Sequence, residues 1–253
     1  MFGIIDRFYA FRKCRKGYFK PPKSWKPEII LYDEKPTSWF CFVPSIVSKN
    51  LYLRKGLLPR EGTVYVYTIS SFNLIKQDPL ETLHGLNEIY SEAVGPMEVA
   101  RDQRGHAIKI LGISLGNVFG VRLASQAGLS LQKIVSLVGG GRLGISAWDS
   151  ILTGHIVKRS GLRNAEEYEE KVSSFSPIRS IAGLPKFDVN ICLGTNDMLI
   201  RYHHGIELAD SFKKQQESIG GRLHCTVYPG ADHGSTMFLV AGRNILSHAL
   251  KYR

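Results

Sequence analysis

The sequence predicts an α/β fold: a mostly parallel central sheet with helices on both faces and a short helical cap insertion. Three observations carry this. From Glu28 onward, apolar β-rich runs alternate with amphipathic stretches of helical length, the pattern of a parallel sheet covered on both sides. The alternation breaks once, over residues 142–184, a long segment with helix-like pieces. The chain has 253 residues, 43% of them hydrophobic and 22% charged, enough to bury one large core.

Residues 28–32 and 38–43 read as two strands joined by a turn at Asp33-Glu34-Lys35-Pro36, and 63–69 (TVYVYTI) as a third, bounded by Glu61-Gly62. The first helix covers 80–94, with Leu83, Leu86, Ile89 and Tyr90 at helical spacing and Gly95-Pro96 as its stop. A strand over 107–113 (AIKILGI) runs straight into Ser114. The stretch 115–127 then places Val118, Phe119, Ala124 and Ala127 at helical spacing, and Gly128 ends it. The next strand, 133–138, stops in Gly139-Gly140-Gly141. Within the insertion, 148–157 and the acidic 165–172 read as helical. A strand over 187–193, a helix over 205–218 stopped by Gly220-Gly221, a strand over 223–228 and a helix over 236–251 complete the chain.

The net charge is +11, yet its distribution argues against a nucleic-acid-binding body. Residues 1–27 hold eight Lys or Arg against the single acid Asp6, so most of the excess sits in an N-terminal arm, and residues 28–253 form the folded domain. Phe2, Ile4, Ile5, Phe8, Tyr9 and Phe11 can gather on one side of a short helix with Arg7, Arg12, Lys13, Arg15 and Lys16 toward the other. Two readings stay open: an interfacial helix over residues 1–20 on an anionic membrane, or apolar residues docked on the body with solvated charges. No nucleic-acid module occurs, so such a partner is not expected. No apolar run reaches the ~18 residues of a membrane span, and no secretory signal is seen, so a cytoplasmic protein, peripheral to a membrane under the first reading of the arm, is the expectation. Cys41, Cys192 and Cys225 lie in runs that read as buried strands, and no cysteine spacing suggests zinc.

Gly112-Ile113-Ser114-Leu115-Gly116 matches G-x-S-x-G between a predicted strand and a predicted helix. Such a turn holds the serine above the sheet edge, and the amide of Leu115 at the helix N-terminus can face an oxyanion. An ordinary strand-to-helix turn with a serine N-cap would look the same. Two later elements decide between them. Leu193-Gly194-Thr195-Asn196-Asp197 sets an acid just past one strand end, and Tyr228-Pro229-Gly230-Ala231-Asp232-His233-Gly234 sets a histidine just past the next. Successive strand ends share one edge of a parallel sheet, where ligands bind, so Ser114, Asp197 and His233 should converge. Asp149, after the strand that precedes the insertion, is the alternative acid; Asp232 should point away from the site because neighbouring side chains diverge. The pair His203-His204 reads as a feature of the site rim or helix start, and neither metal nor cofactor is expected.

On these residues the chain resembles the α/β-hydrolase superfamily over essentially residues 28–253. The resemblance implies a nucleophilic Ser114, His233 as the base, Asp197 as the acid that orients it, and an acyl-enzyme that water hydrolyses. After the second strand the sequence departs from the His-Gly of many members and has Pro44-Ser45-Ile46-Val47. The run from Phe42 to Lys49 looks more like the corresponding loop of the polyhydroxyalkanoate synthase branch, which has a cysteine nucleophile where this chain has Ser114. Proline cannot donate, so the second oxyanion donor should be the amide of Ser45 or Ile46. The expected activity is that of a serine esterase, lipase or thioesterase on a small-molecule acyl ester. Trp148, Ile151 and Leu152 suit an apolar acyl chain. An acyltransferase with the same triad, or a non-catalytic binding protein using the basic arm, are the alternatives.

Overall fold

Period-two runs of aromatic and β-branched residues build the middle of the molecule. In the strand Thr37–Pro44 (β2), Phe40 and Phe42 point into one apolar cluster while Trp39, Cys41 and Val43 point into another, so every residue of the strand is buried. The protein is described by a computed structural model covering residues 25–45 and 49–242; the first 24 residues of the arm, Ile46 and the predicted helix beyond 242 lie outside the described residues.

With Glu28–Leu31 (β1), Thr63–Ile69 (β3), Ala107–Ile113 (β4), Leu131–Leu137 (β5), Asp188–Gly194 (β6) and Arg222–Tyr228 (β7), the sheet runs β1-β3-β2-β4-β5-β6-β7. All pairings are parallel except that of β1 with β3. β1 and β2, consecutive in the chain, are therefore not neighbours: β3 lies between them. The order of strands reverses between β2 and β4, and that switch point opens a crevice at their C-terminal ends.

One face of the sheet is covered by Pro79–Asp102 (α3), Gly116–Ala127 (α4) and Tyr202–Ile219 (α9), which contribute Leu86, Ile89, Phe119, Leu208 and Phe212 to the larger cluster. The other face receives Tyr52 from Lys49–Arg54 (α1) and Met237 and Val240 from His233–Gly242 (α10). A short turn of helix, Ser71–Leu74 (α2), follows β3.

Three local expectations are corrected. Gly95-Pro96 does not stop the first helix, which continues to Asp102. Pro96 removes the amide that would reach the carbonyl of Glu92, and the Tyr67 hydroxyl donates to that carbonyl instead at 3.4 Å. Residues 148–157 are not one helix but parts of two, Leu143–Asp149 (α5) and Gly154–Val157 (α6). Between them the Ser150 hydroxyl accepts the Leu152 amide and the Thr153 hydroxyl donates to the Ala147 carbonyl, local bonds that compete with the helical ladder. Cys225 is exposed, because β7 is an edge strand. The insertion continues through Ala165–Val172 (α7) and Pro177–Ser180 (α8). Its second half packs on the body through Tyr168, Val172, Phe175 and Ile181, while its first half faces the crevice.

Candidate active site

β4 ends in a turn that only a narrow set of residues can make. Ser114 has φ +57°, a left-handed conformation uncommon for a residue with a Cβ. Its amide donates to the Leu137 carbonyl (2.9 Å), and its carbonyl accepts the amide and the side-chain Nδ2 of Asn117 at 3.1 and 3.0 Å. The same Nδ2 also donates to Leu137 at 3.3 Å, so Asn117 ties the serine turn to the end of β5. Sequence reasoning missed this residue; an Asn three positions after the serine, directly ahead of the apolar pair Val118-Phe119, was the available signal. It also missed Val138, held at φ +47° beside the turn, for which no local signal exists because a β-branched residue rarely adopts that conformation.

The two glycines around Ser114 are needed for close approach. A Cβ on Gly116 would lie 2.2 Å from the Phe42 carbonyl oxygen, and one on Gly112 would lie 2.7 Å from Asn117 Cα. Both obstacles are backbone, which cannot swing aside. Gly116→Ala is expected to destabilise the fold by about 1–3 kcal/mol through overpacking, read as a lowered urea midpoint with unchanged slope.

Two loops bring Asp197 and His233 together. Past β6 and β7 the amides of Thr195 and Asn196 donate to the carbonyls of Tyr228 and Ala231, at 3.2 and 2.9 Å. The Gly230 amide returns a bond to the Thr195 hydroxyl at 2.8 Å. So zipped, the loops place Asp197 Oδ2 2.7 Å from His233 Nδ1, with both side chains almost wholly buried at 3% and 2% exposure. Oδ1 of Asp197 accepts the amides of Leu199 and Ile200, each at 2.9 Å. In the neutral imidazole, a hydrogen on Nδ1 would point at Asp197 Oδ2 and leave the ring lone pair on Nε2. Asp232 turns away: its carboxylate accepts the Ser235 amide at 2.7 Å in the first turn of α10.

Ser114, Leu115 and His233 line one pocket with Pro44, Phe72 and Ile75 on one side and Leu143, Ala147 and Leu152 of the insertion on the other. Leu115 immediately precedes α4, at the positive end of the helix dipole. Trp148, expected in the pocket, packs against the larger core instead. The Ser45 expectation is also overturned. Its amide extends the β2–β3 ladder by donating to the Ile69 carbonyl at 2.7 Å, so it cannot also meet an oxyanion. The other candidate, Ile46, lies outside the described residues.

The carboxylate of Asp149 faces other histidines: its Oδ2 is 3.0 Å from His204 Nε2 and 3.9 Å from His203 Nε2. A carboxylate from α5, outside their own helix, thus reaches the two histidines. Cys41 and Cys192 do not compete as nucleophiles, since burial pushes both thiols up, Cys192 to about 12.

No protein-family model matches the chain, and no curated protein matches it by sequence. Solved structures do. An acylaminoacyl peptidase of Pyrococcus horikoshii aligns over 97% of this chain at 14% identity and TM-score 0.55, although this chain spans only 43% of that one. An esterase of Pyrobaculum calidifontis aligns over 98% of this chain and 91% of its own, at 15% identity and TM-score 0.58. Carboxyl esterase 2 of the mycorrhizal fungus Tuber melanosporum aligns over 95% and 97%, at 12% identity and TM-score 0.53. Together with the seven-stranded, mostly parallel sheet and its helical layers, these likenesses establish that the chain has the α/β-hydrolase fold.

Proposed function

We propose that the chain is a serine hydrolase that cleaves a carboxylic ester or thioester through an acyl-enzyme on Ser114. The observation that carries this is the 2.7 Å Asp197–His233 pair, buried at a pocket whose wall also holds Ser114 in its left-handed turn. His233 Nε2 takes the proton of Ser114 as Oγ attacks the acyl carbon. Negative charge then develops on the former carbonyl oxygen, where the Leu115 amide at the start of α4 stabilises it. The C–O or C–S bond to the leaving group breaks as His233 returns the proton to it. Water then enters, gives a proton to His233 and attacks the acyl carbon; the acyl–Oγ bond breaks as His233 returns that proton to Oγ, which releases the acid and restores Ser114.

The pocket wall supports an acyl group with an apolar chain. Phe72, Ile75, Leu143, Leu152 and Leu199 surround it, while the hydroxyls of Ser146 and Ser150 add polar positions. Two of the solved structures named above are esterases and one is a peptidase, so ester chemistry is among those the fold hosts. The loop likeness to the polyhydroxyalkanoate synthase branch concerns residues 42–49 and does not extend to the nucleophile, which is serine here.

A fluorophosphonate probe tests the proposal directly, because it phosphonylates only a serine activated by a neighbouring base. The folded chain should carry one adduct, on the peptide containing Ser114. Well-folded protein that stays unlabelled would remove the proposal.

A further inference from the structure

Among the described residues outside the pocket, one cluster of side chains has the composition of a metal site. Asp149 ends α5 of the insertion, and His203 and His204 stand in the first turn of α9, so the cluster joins two segments more than fifty residues apart in sequence. One ligand atom from each of the three residues lies within 4.8 Å of the others. From these placements we infer that Asp149, His203 and His204 form a binding site for a divalent transition metal of the zinc class.

The chemistry of the donors is the first reason. Two imidazole nitrogens and one carboxylate oxygen form a borderline set that suits Zn²⁺ and its neighbours and is a poor match for Mg²⁺ or Ca²⁺. Distance is the second. Bonds of about 2.0–2.2 Å in a tetrahedron put ligand atoms roughly 3.3–3.5 Å apart. The observed separations of 3.0 and 3.9 Å from Asp149 Oδ2 to the two Nε2 atoms bracket that value, so a metal needs only small side-chain adjustments. The two rings already lie side by side, with centroids 4.0 Å apart.

The surroundings leave the donors usable. The more buried of the two rings, His204, already directs Nε2 toward Asp149 Oδ2. Asp149 offers the counter-charge. The Arg201 guanidinium, which could compete for that carboxylate, instead donates to the Asp149 backbone carbonyl at 3.4 Å. Glu207, one turn along α9, is held by Arg142 at 2.8 Å. His203 is 64% exposed and His204 3%, so the cluster opens to solvent on one side and a water can fill the fourth position.

Such a metal would be structural. It would cross-link the insertion to the segment 197–204, which begins with the acid that faces His233 and whose Leu199 and Ile200 amides hold that acid. The bare alternative is an Asp149–His204 hydrogen bond that does the same job without a metal. The site stands or falls independently of whether Ser114 is a nucleophile.

Titration calorimetry with Zn²⁺ on chelator-stripped full-length chain separates the two. The expected result is one equivalent bound, with a rise in melting temperature. His203→Ala, at an exposed ring whose loss should not disturb folding, and Asp149→Asn should each weaken binding by at least about tenfold, the loss that even a supporting residue of a zinc site produces. With Co²⁺ in place of Zn²⁺, the wild type should show visible d–d absorption that His203→Ala loses. Failure of the wild type to bind zinc overturns the assignment. So does zinc binding that both variants retain at wild-type strength, since the metal would then lie elsewhere.

Discussion

Ser114→Ala is expected to lower kcat for hydrolysis of a p-nitrophenyl ester by about 10⁶-fold, the scale of loss when the nucleophile of a preorganised triad is removed. On the proposed route the Oγ that would form the acyl-enzyme disappears, and His233 would have no hydroxyl to deprotonate. Residual turnover would come from the oxyanion donor and pocket acting on a water, about 10³–10⁴ above the uncatalysed rate. The fold should survive, because the contacts that hold position 114 are backbone contacts: its amide to Leu137 and its carbonyl to Asn117 remain. Alanine is no worse than serine at φ +57°, since both carry a Cβ. Circular dichroism and urea unfolding check this, and a folded Ser114→Ala variant hydrolysing the ester near the wild-type rate would disprove the acyl-enzyme route. A series of esters of increasing chain length would show whether the apolar wall reads acyl length.

The parts of this molecule legible in its sequence are those fixed by local periodicity and chain order. Strands 63–69 and 107–113 and the helix 165–172 were readable because alternation or helical spacing ends at clear turn residues. The meeting of Asp197 and His233 was readable too, because successive parallel strands must end on one edge. What escaped depends on partners distant in sequence. Pro96 is tolerated within a helix because Tyr67, from a strand, supplies a donor to the carbonyl it orphans. β1 slots outside β3 rather than beside β2, a choice of pairing that no run of residues encodes. The Ser45 amide was available on paper, but the parallel ladder of β2 and β3 extends one residue beyond Pro44 and takes it. Likewise, Asp149 reads as a spare acid near a strand end until the fold sets it against His204.

Asp197→Asn is expected to cost about 10⁴-fold in kcat, and the geometry indicates why so conservative a change should matter. In the wild type, Oδ1 accepts the Leu199 and Ile200 amides while Oδ2 accepts the Nδ1 hydrogen of His233. Asparagine has a single acceptor oxygen. Two backbone donors compete for it against one ring donor, so the oxygen settles toward Leu199 and Ile200 and the amide NH₂ turns to His233. That NH₂ is a donor, so Nδ1 must become the acceptor and the ring hydrogen moves to Nε2. The nitrogen that should take the Ser114 proton then already carries one. Substrate binding is little affected, because the Asp197 carboxylate is buried behind the ring, so KM should change far less than kcat. Asp149→Asn provides the control for the acid assignment: its carboxylate faces His204 and not His233, and its loss of rate should be far smaller. Equal losses in the two variants would mean that Asp197 is not the orienting acid. A tautomer switch also makes a spectroscopic demand. In Asp197→Asn the downfield proton resonance of a His Nδ1 hydrogen bonded to a carboxylate should vanish while the chain stays folded, and its persistence would rule out this explanation of the lost rate.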